Sequence, residues 1–580
     1  MESVFSFFSN PTGDVTVLSV YATVLRVAIP VMALFVVWRC AASLLRFRRE
    51  PEIWAWLRLA TGELVPVTHW ENLLGRKRNA DIPLDFATVS KNHAVLTRHG
   101  DGSWTLRDVG ARGRVQVNGV KVIERAIDYG DRISLGGLEM TLEPVSREEA
   151  RLQSEGRTRA GKGHSPGLTL LLLTVLQGMT LLSLCLGLGE EKVVPVVIAF
   201  AELAALEWLL FIGQKLIRRS GFEVEALAFF LMTFGLCVTA SFNTALLQKQ
   251  MLIACGGIVL FLVIGLILRN LETAKRVRWI AAVLGVLLLA VNVAFGKLTY
   301  GARNWITIGG SSFQPSELVK ICFIFVGAST MERIVSDRNL IGFIAYAGIV
   351  CACLALMHDF GTALVFFVTF LLISYLRSAS YAALALITAV VVFAAVLAVS
   401  LFPYIADRFS TWGHIWDDPY DKGYQQTGAL TCIASGGLFG LGLGKGLLIN
   451  YGAAETDLVF AVMAEEGGLI VAALLVTAIA VLALFVVRSA KVARSSFYTI
   501  SACAAVCSMT VQVILNVFGT VDYLPLTGVT FPFVSHGGSS LLASWGLLAF
   551  VKACDTRQNA SFAVKLSEKR RRHGAKEAAA

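Results

Sequence analysis

Several ionisable residues lie at the ends of long apolar runs in this sequence, where charge is costly and marks ligand or reaction sites by default. They are Arg303, Glu317, Lys320, Asp359, Asp457, Glu465 and Glu466. Carboxylates at such positions can take up protons, and cations can stabilise anionic groups. Glu317 and Lys320 are three residues apart and would share one helix face, so a structural ion pair explains them at least as well as catalysis does.

Other reactive patterns fail at the spacing that their chemistry needs. The 11 cysteines form no Cys-x-x-Cys pair and no His-Glu-x-x-His occurs, so zinc sites and disulfide frameworks have no support. The glycine-rich run 436–446 is unlike a phosphate-binding loop, because Phe439 stands in place of a glycine and Gly446 in place of Ser or Thr. We expect close packing or a tight re-entrant turn there. Ser535 and His536 lack a convincing partner for a Ser-His hydrolase.

The elements that carry these residues are predicted to be membrane-spanning helices. Of the 580 residues, 56% are hydrophobic and only 16% are charged, against about a quarter charged in a soluble domain. About thirteen apolar runs of about 20 residues are present. Because backbone in lipid must satisfy its own hydrogen bonds, the expected fold class is a polytopic α-helical membrane protein. A soluble enzyme, a disordered chain, collagen and a disulfide scaffold are excluded.

Basic residues set the expected topology. The net charge of +10 comes from 51 Lys and Arg against 41 Asp and Glu, and the positive residues fall in short tracts between apolar runs. This positive-inside pattern favours a topological role over nucleic-acid binding. The run 15–45 is followed but not preceded by basic residues, which indicates an uncleaved anchor with its N-terminus outside. Alternation then places the segments 297–316, 403–456 and 519–536 outside and the basic tail 556–580 in the cytoplasm.

Residues 52–145 change from apolar runs to short alternating strands. Turn signals such as Asp101-Gly102 and Asn118-Gly119 separate them, which is typical of an all-β sandwich. The charged segment 146–166 has no apolar period and is expected to be a flexible linker. Two additional transmembrane helices are predicted at 167–214.

The β-sandwich segment resembles the forkhead-associated (FHA) domain, a phosphothreonine-binding module. The motifs are Leu74-Gly75-Arg76, Val89-Ser90-Lys91-Asn92-His93, Leu106-Arg107-Asp108-Val109-Gly110, Val117-Asn118-Gly119 and Tyr129-Gly130-Asp131-Arg132-Ile133. Arg76, Ser90 and Lys91 can supply charge and hydrogen bonds to a phosphate, and the resemblance gives His93 a bracing role. Where the family usually has Ser-x-Asn-Gly-Thr, residues 111–115 read Ala-Arg-Gly-Arg-Val, so a sandwich kept only as a scaffold is the alternative.

Residues 221–555 resemble the SEDS family (shape, elongation, division and sporulation) of polytopic membrane proteins. In chain order the motifs are Gly301-Ala302-Arg303-Asn304-Trp305-Ile306, Phe313-Gln314-Pro315-Ser316-Glu317, His358-Asp359-Phe360-Gly361-Thr362, Asp418-Pro419, Gly423-Tyr424-Gln425, Glu455-Thr456-Asp457, Glu465-Glu466 and Ser535-His536-Gly537-Gly538-Ser539. The resemblance implies a ten-span core that polymerises lipid II, the undecaprenyl-diphosphate-linked disaccharide peptide, outside the membrane. It also implies a class B penicillin-binding protein as partner, since these proteins make glycan but carry no transpeptidase.

The resemblance assigns catalysis to Asp418, in the large loop before a proline, with Asp417 as an alternative by position alone. The expected substrate-binding residues are Arg303, Glu317, Lys320, Asp359, Tyr424, Gln425, Ser535, His536 and Ser539. Inversion from an α-linked diphosphate to a β-1,4 glycan needs one base, and a carboxylate suits that role. Arg303, then Lys320, is the expected cation for the leaving diphosphate. A divalent cation (Mg²⁺ or Mn²⁺) is a further expectation, with ligands unknown.

The leading hypothesis is a glycosyltransferase that is recruited through phosphopeptides, and two other functions remain as alternatives. A lipid II transporter also combines membrane spans with buried charges, although a flippase has no need of a carboxylate in an outside loop. A non-catalytic cell-wall scaffold would account for Gly428-Ala429, which stands where many relatives have Gln-Ser.

Overall fold

The computed structural model describes residues 14–46, 51–76, 80–99, 101–109, 115–160, 165–299, 302–308, 311–332, 337–378, 411–557 and 560–563, with residues 385, 388, 389 and 392. These residues form a β-sandwich and a bundle of long helices. Residues 111–114, the rest of the predicted span near residue 391 and the tail beyond residue 563 lie outside the described residues.

The sandwich consists of two β-sheets whose neighbouring strands are antiparallel, except β3 and β4, which are parallel. The strands are β1 (Ala55–Leu59), β2 (Leu64–Val67), β3 (Glu71–Gly75), β4 (Ile82–Pro83), β5 (Ala94–Arg98), β6 (Trp104–Asp108), β7 (Val115–Val117), β8 (Val120–Lys121), β9 (Glu124–Ile127), β10 (Arg132–Leu135) and β11 (Leu138–Pro144). The sheet orders are β2-β1-β11-β10-β7-β8 and β4-β3-β5-β6-β9. Alternate residues of β1 are buried, as the pleat requires, and the inward side chains form a separate core around Trp104 and Leu106. The predicted all-β sandwich is confirmed.

Long helices make up the rest of the described chain. They are α1 (Asp14–Leu45), α2 (Arg147–Ala160), α3 (Pro166–Gly187), α4 (Val193–Leu216), α5 (Glu223–Phe242), α6 (Leu247–Leu268), α7 (Leu271–Phe295), α8 (Pro315–Glu332), α9 (Asp337–Leu356), α10 (Phe360–Ser378), α11 (Tyr424–Gly436), α12 (Val459–Glu466), α13 (Leu469–Ala490), α14 (Ser496–Thr520) and α15 (Gly538–Ala553). Among the described residues, 8 helices are long and apolar enough to cross a membrane. The predicted polytopic α-helical architecture is confirmed.

Helix α5 lies inside the bundle, and its most apolar 18-residue stretch is completely buried. The three helices outside the predicted ten-span core, α1, α3 and α4, all pack against it. Ser43 on α1 donates a hydrogen bond to Glu223 at 2.7 Å, and Gln214 on α4 donates one to Glu225 at 2.8 Å. The additional helices therefore shield polar groups of α5 from lipid, where such groups are costly.

The segment between the sandwich and α3 is helical, so the prediction of a flexible linker at 146–166 is wrong over Arg147–Ala160. Ser146 and Glu149 form a capping box, in which each side chain accepts the other residue's backbone N–H, at 3.1 and 3.2 Å. Arg151 and Glu155 lie one turn apart and form an ion pair at 2.9 Å. These local contacts form a helix without an apolar stripe.

The sandwich packs against one end of the bundle, called here the sandwich end. Trp70 lies edge-on to Tyr498, with 6.1 Å between ring centroids, and its backbone N–H donates to the carbonyl of Arg494 at 2.6 Å. Glu71, at the start of β3, forms an ion pair with Lys275 of α7 at 2.5 Å. The sandwich is therefore docked on the bundle.

The opposite end of the bundle, called here the loop end, contains the described residues of three polar segments, 297–314, 411–457 and 519–537. Helix α14 has 25 residues and runs from one end to the other, about 37 Å at 1.5 Å per residue. A small antiparallel sheet of β12 (Lys297–Thr299), β13 (Ala302–Ile308) and β14 (Ser311–Phe313) follows α7 at the loop end.

Candidate active site

A cavity of about 500 Å³ opens at the loop end. Its charged and polar lining includes Lys249, Asn304, Gln314, Asp359, Glu455, Asp457 and His536. These residues come from segments that are far apart in the chain, so only the folded bundle brings them together. A concave site with a few convergent polar groups is the usual form of a ligand pocket.

Asp359 is a buried carboxylate of this cavity, 7% exposed. One carboxylate oxygen accepts hydrogen bonds from the side-chain amides of Asn304 at 3.3 Å and Gln314 at 3.2 Å. The other accepts the backbone N–H of Thr362 at 3.1 Å, which caps the first turn of α10. The structure thus places this predicted residue in the cavity. Among the described residues, its hydrogen-bond donors are uncharged amide and peptide groups.

Arg303, the cation predicted for the site, is exposed on β13 and is not among the described residues that line the cavity. Its backbone N–H donates to the carbonyl of Met357 at 2.9 Å, which fixes β13 against the end of α9. Lys249, in the first turn of α6, lines the cavity instead. Lys249 is not among the residues predicted from the sequence, although the polar run 248–250 inside an apolar helix is a signal that could have indicated it.

Glu317 and Lys320 form a buried ion pair on α8. The Lys320 ammonium lies 2.8 Å from both carboxylate oxygens of Glu317. Their side chains are 5% and 3% exposed, and neither residue is among the described residues that line the cavity. This geometry supports the structural alternative, because removing one partner of a buried pair leaves an uncompensated charge. Their predicted role in substrate binding stays a prediction.

Asp418 lies in an exposed turn, outside the described lining of the cavity. Its backbone carbonyl accepts the N–H of Gly423 at 3.0 Å, which closes the turn before α11. The carboxylate of its neighbour Asp417 lies 3.2 Å from Nδ1 of His414. The two candidate bases therefore differ, since Asp417 is engaged by a histidine whereas the described contact of Asp418 is made by its backbone.

The predicted residues Tyr424 and Gln425 join the Asp418 turn to the cavity. Tyr424 stacks on Tyr451 with 4.6 Å between ring centroids, and the Gln425 amide donates to the carbonyl of Gly452 at 2.8 Å. Residues 453 and 455–457 follow directly and line the cavity. Glu455 and Asp457, which belong to one motif of the family resemblance but were not among the expected substrate-binding residues, are therefore part of the site.

The Tyr451 ring also explains Gly428. A Cβ atom at position 428 would overlap the ring atoms of Tyr451, so only glycine fits there. Its neighbour Ala429 is fully buried. The replacement of the family's Gln-Ser pair is thus accommodated by packing of α11 against this tyrosine.

The predicted residues of the 535–539 run have different surroundings. The Ser535 hydroxyl donates to the carbonyl of Thr456 at 2.7 Å, and Ser539 accepts the N–H of Gln314 at 3.2 Å, so both hold the cavity wall. His536 lines the cavity itself. Burial lowers the pKa of His536 below its ordinary value, the Glu455 carboxylate opposes this effect and the Lys249 ammonium adds to it. Burial therefore favours the neutral imidazole of His536.

A divalent cation is expected from the sequence without assigned ligands. Among the described residues, no group of three or more His, Cys, Asp or Glu side chains is arranged to hold a metal ion. Mg²⁺ is usually held by one or two carboxylates together with substrate phosphates rather than by a cage of protein ligands. The expected Mg²⁺ or Mn²⁺ therefore stays a prediction.

The candidate phosphate-binding residues lie together at the far end of β3 from the docking contacts. Arg76 and Lys91 are exposed and Ser90 is half-buried, and the Arg76 backbone N–H donates to the Ser90 carbonyl at 3.0 Å. His93 is fully buried, and its Nδ1 accepts the Ser90 backbone N–H at 3.0 Å. This geometry braces the turn that carries Ser90 and Lys91 beside Arg76.

Together, the helix bundle, the polar cavity and the docked sandwich define a multi-pass membrane protein that carries a β-sandwich domain. The family model described as "Cell cycle protein" (FtsW, RodA, SpoVE) matches residues 225–560, and the FHA domain model matches residues 72–136. Since the first match covers more than half of the 580 residues, the chain belongs to the FtsW/RodA/SpoVE family. The predicted resemblance to both families is confirmed.

Relatives of known name share the bundle. The probable peptidoglycan glycosyltransferase FtsW of Coxiella burnetii is 35% identical over 267 residues, 44% of this chain and 72% of that protein. The peptidoglycan glycosyltransferase RodA of Mycobacterium leprae is 29% identical over 334 residues, 54% of this chain and 70% of that protein. A solved chain from a peptidoglycan synthase complex aligns with 57% of this chain and 96% of its own length, at 23% identity and a TM-score of 0.48.

Proposed function

We propose that this chain is a peptidoglycan glycosyltransferase that polymerises lipid II into β-1,4-linked glycan strands. Its family membership and the names of its relatives support this function. The observation that carries the proposal is the exposed carboxylate of Asp418, joined through Gln425 and Gly452 to a polar cavity at the same end of the bundle.

The proposed reaction is a single displacement at the anomeric carbon of the donor sugar. A hydroxyl of the acceptor sugar attacks that carbon, and its proton passes to the Asp418 carboxylate. The bond to the diphosphate breaks, and undecaprenyl diphosphate leaves with the bonding electrons. One displacement inverts the α linkage of lipid II to the β linkage of the glycan, and a positioned base of this kind contributes roughly 10²–10⁴-fold to the rate.

Cations of the protein are proposed to stabilise the leaving diphosphate. Lys249 lines the cavity, whereas Arg303 is exposed on the strand that borders it. We propose Lys249 as the main cation that stabilises the diphosphate and Arg303 as the second candidate. No step of this mechanism is routed through a metal ion, and the expected Mg²⁺ or Mn²⁺ stays a proposal without assigned ligands.

The position of Asp418 argues against the alternative that the chain is a lipid II transporter. Transport sites lie near the middle of the bilayer, between helices. Asp418 lies in an exposed turn at the loop end instead. An exposed carboxylate beside a cavity suits acceptor activation and has no role in moving a headgroup across the membrane.

The loop end is proposed to face the outside and the sandwich end the cytoplasm. Basic tracts that include Lys275 and Arg494 lie at the sandwich end, where both residues pair with acids of the sandwich. Positive residues collect on the cytoplasmic side of membrane proteins. The N-terminus of α1 would then lie outside, and the sandwich and the C-terminal tail inside.

A class B penicillin-binding protein is the proposed partner at the outer face. A transpeptidase of that type uses Ser-x-x-Lys with accompanying Ser-x-Asn and Lys-Thr-Gly elements, and the segments assigned to the outside carry no such set. Crosslinking of the glycan must therefore come from another protein. We expect that partner to raise the polymerase activity.

The sandwich is proposed to recruit a phosphothreonine protein through Arg76, Ser90 and Lys91. Arg76→Ala should abolish binding of phosphothreonine peptides, since a guanidinium makes strong charge-assisted hydrogen bonds to phosphate. Arg125→Ala, an exposed arginine on β9, is the matched control. Equal peptide binding by both variants, or no binding by the wild-type protein, would reject the phosphate site.

The central test is polymerisation of labelled lipid II by purified protein, with and without the penicillin-binding protein. Asp418→Asn should lower turnover by roughly 10²–10⁴-fold, while Asp421→Asn, an exposed carboxylate of the same turn, should behave as wild type. Wild-type polymer length with Asp418→Asn would refute the assignment. A loss confined to Asp417→Asn would move the role to that residue.

A further inference from the structure

Two adjacent carboxylates, Glu465 and Glu466, are buried at the C-terminal end of α12, at 0% and 1% exposure. The two oxygens of Glu465 accept the backbone N–H groups of Leu447 at 2.8 Å and Leu448 at 3.0 Å. A buried carboxylate is costly unless donors surround it. For Glu465 those donors are peptide groups of the segment that follows the glycine-rich run.

Glu466 holds the same segment from its other side. Its oxygens accept the backbone N–H groups of Gly444 at 3.0 Å and Gly446 at 3.3 Å, and the hydroxyl of Ser241 on α5 at 2.8 Å. A Cβ atom at position 446 would lie only 2.8 Å from an oxygen of Glu466 and 2.9 Å from one of Glu465. The glycine-rich run is therefore shaped to wrap two carboxylates, which confirms the expected tight turn and explains why it does not match a phosphate loop.

The position of Glu465 and Glu466 at the C-terminal end of α12 means that they do not serve to stabilise this helix. Negative side chains are unfavourable at the C-terminal end of a helix, where the macrodipole is also negative. The pair instead anchors residues 444–448, which lead directly to Tyr451 and Gly452. Those two residues are the contacts of Tyr424 and Gln425 on the helix that follows Asp418.

We propose that Glu465 and Glu466 are positioning residues for glycosyl transfer: they fix segment 444–452 and through it the placement of the Asp418 turn beside the cavity. This inference rests on the proposed function, since it concerns the same reaction. Neither carboxylate is among the described residues that line the cavity. They act through peptide hydrogen bonds, so their effect is on geometry, and a displacement of about 1 Å can cost about 10²-fold in rate.

Glutamine substitutions test the pair with almost no change of shape. Each carboxylate uses both oxygens as acceptors, and an amide would set its NH₂ group against a peptide N–H. Glu465→Gln and Glu466→Gln should each speed hydrogen exchange of peptides covering 444–452 while the rest of the bundle keeps its protection.

Polymerisation kinetics form the second readout. We expect both variants to lower kcat roughly 10- to 100-fold with little change in KM, because the cavity lining is intact while the base is displaced. Glu207→Gln is the matched control: Glu207 is also fully buried, accepts hydrogen bonds from Thr174 and Gln177, and lies on α4 without contact to this segment. It should leave both kcat and exchange unchanged.

The two readouts separate the possible outcomes. Faster exchange at 444–452 with reduced kcat supports the proposal. Unchanged exchange, or faster exchange with wild-type kcat, overturns it, and so does an equal loss of kcat in Glu207→Gln. An inactive wild-type protein would count against the proposed function alone, and the exchange measurement would still decide whether the pair holds the segment.

Discussion

The two ends of the helix bundle treat their acidic side chains in opposite ways. At the sandwich end, acids are matched by cations, as in the pairs Arg557–Glu223 at 2.8 Å and Lys552–Glu225 at 2.9 Å. At the loop end, Asp359 and the Glu465–Glu466 pair are held by amide and peptide N–H donors, and Asp418 is exposed. The buried pair Glu317–Lys320 of α8 is an exception at the loop end.

The difference indicates what each end is built for. A carboxylate that is paired with a cation is held in its charged form, and its affinity for a proton is lowered. At the loop end, Asp359 lines the cavity and the exposed Asp418 is the proposed base, so these two carboxylates are open to a substrate, whereas Glu465 and Glu466 hold segment 444–448. The sandwich end is therefore suited to rigid packing, and the loop end to chemistry.

The largest effect should come from breaking a pair at the sandwich end. Arg557→Met leaves Glu223 and Asp555, which lies 2.7 Å from Arg557, without this cation. We expect a loss of about 3–5 kcal/mol in unfolding free energy, because a buried charge is left uncompensated. Unfolding of the detergent-solubilised protein measures it, and Arg58→Met, which removes an exposed pair with Glu143, should have little effect. Similar stability of both variants would contradict the pairing.

A smaller effect should follow from removing the cavity cation at the loop end. Lys249→Met should lower kcat/KM for lipid II roughly 10- to 100-fold, the worth of a charge-assisted hydrogen bond to the diphosphate. Arg303→Met should lower it less, since that side chain lies outside the described lining. Thermal unfolding checks that both variants fold. A larger loss for Arg303→Met would reverse the assignment.

The smallest effect concerns the docking of the sandwich on the bundle. A double-mutant cycle of Glu71→Gln and Lys275→Met should give a coupling energy of about 0.5–1 kcal/mol that falls as salt is raised, because the Lys275 side chain is 30% exposed. A coupling of zero would mean that this pair does not dock the domain.

Deletion of 52–145 should leave lipid II polymerisation largely intact, since the length of α14 separates the sandwich from the loop end. Loss of activity on deletion, with folded protein, would instead make the sandwich an allosteric element.

Much of the fold could be predicted because its signals are local or repeated. The alternation in β1 and the turns at Asn118-Gly119 and Gly130 marked the sandwich, and apolar runs marked the spans. The motif order around Asp359 and Asp418 then indicated the family. The sequence also suggested the ion pair Glu317–Lys320 from its spacing alone.

The rest depends on contacts between distant residues or on weak local signals. The capping box of Ser146 and Glu149 was present in the sequence but was outweighed by the lack of an apolar period, so α2 was missed. Docking of Trp70 on Tyr498 joins two domains and has no periodic signature. Lys249 enters the cavity only because α6 packs beside the loop end, which no linear motif reports.

The acids of α5 also bear on how the chain is made. Glu225 precedes its cation Lys552 by 327 residues and Glu223 precedes Arg557 by 334, so a ribosome needs tens of seconds, at about 5–20 residues per second, before either cation exists. Ser43 and Gln214, which donate hydrogen bonds to Glu223 and Glu225, both precede α5 in the chain and are synthesised before it. Their hydrogen bonds can stabilise Glu223 and Glu225 of α5 in the membrane until the C-terminal cations have been synthesised. Ser43→Ala with Gln214→Leu should then lower the yield of inserted protein more than the stability of the finished molecule, and an unchanged yield would argue against this order of assembly.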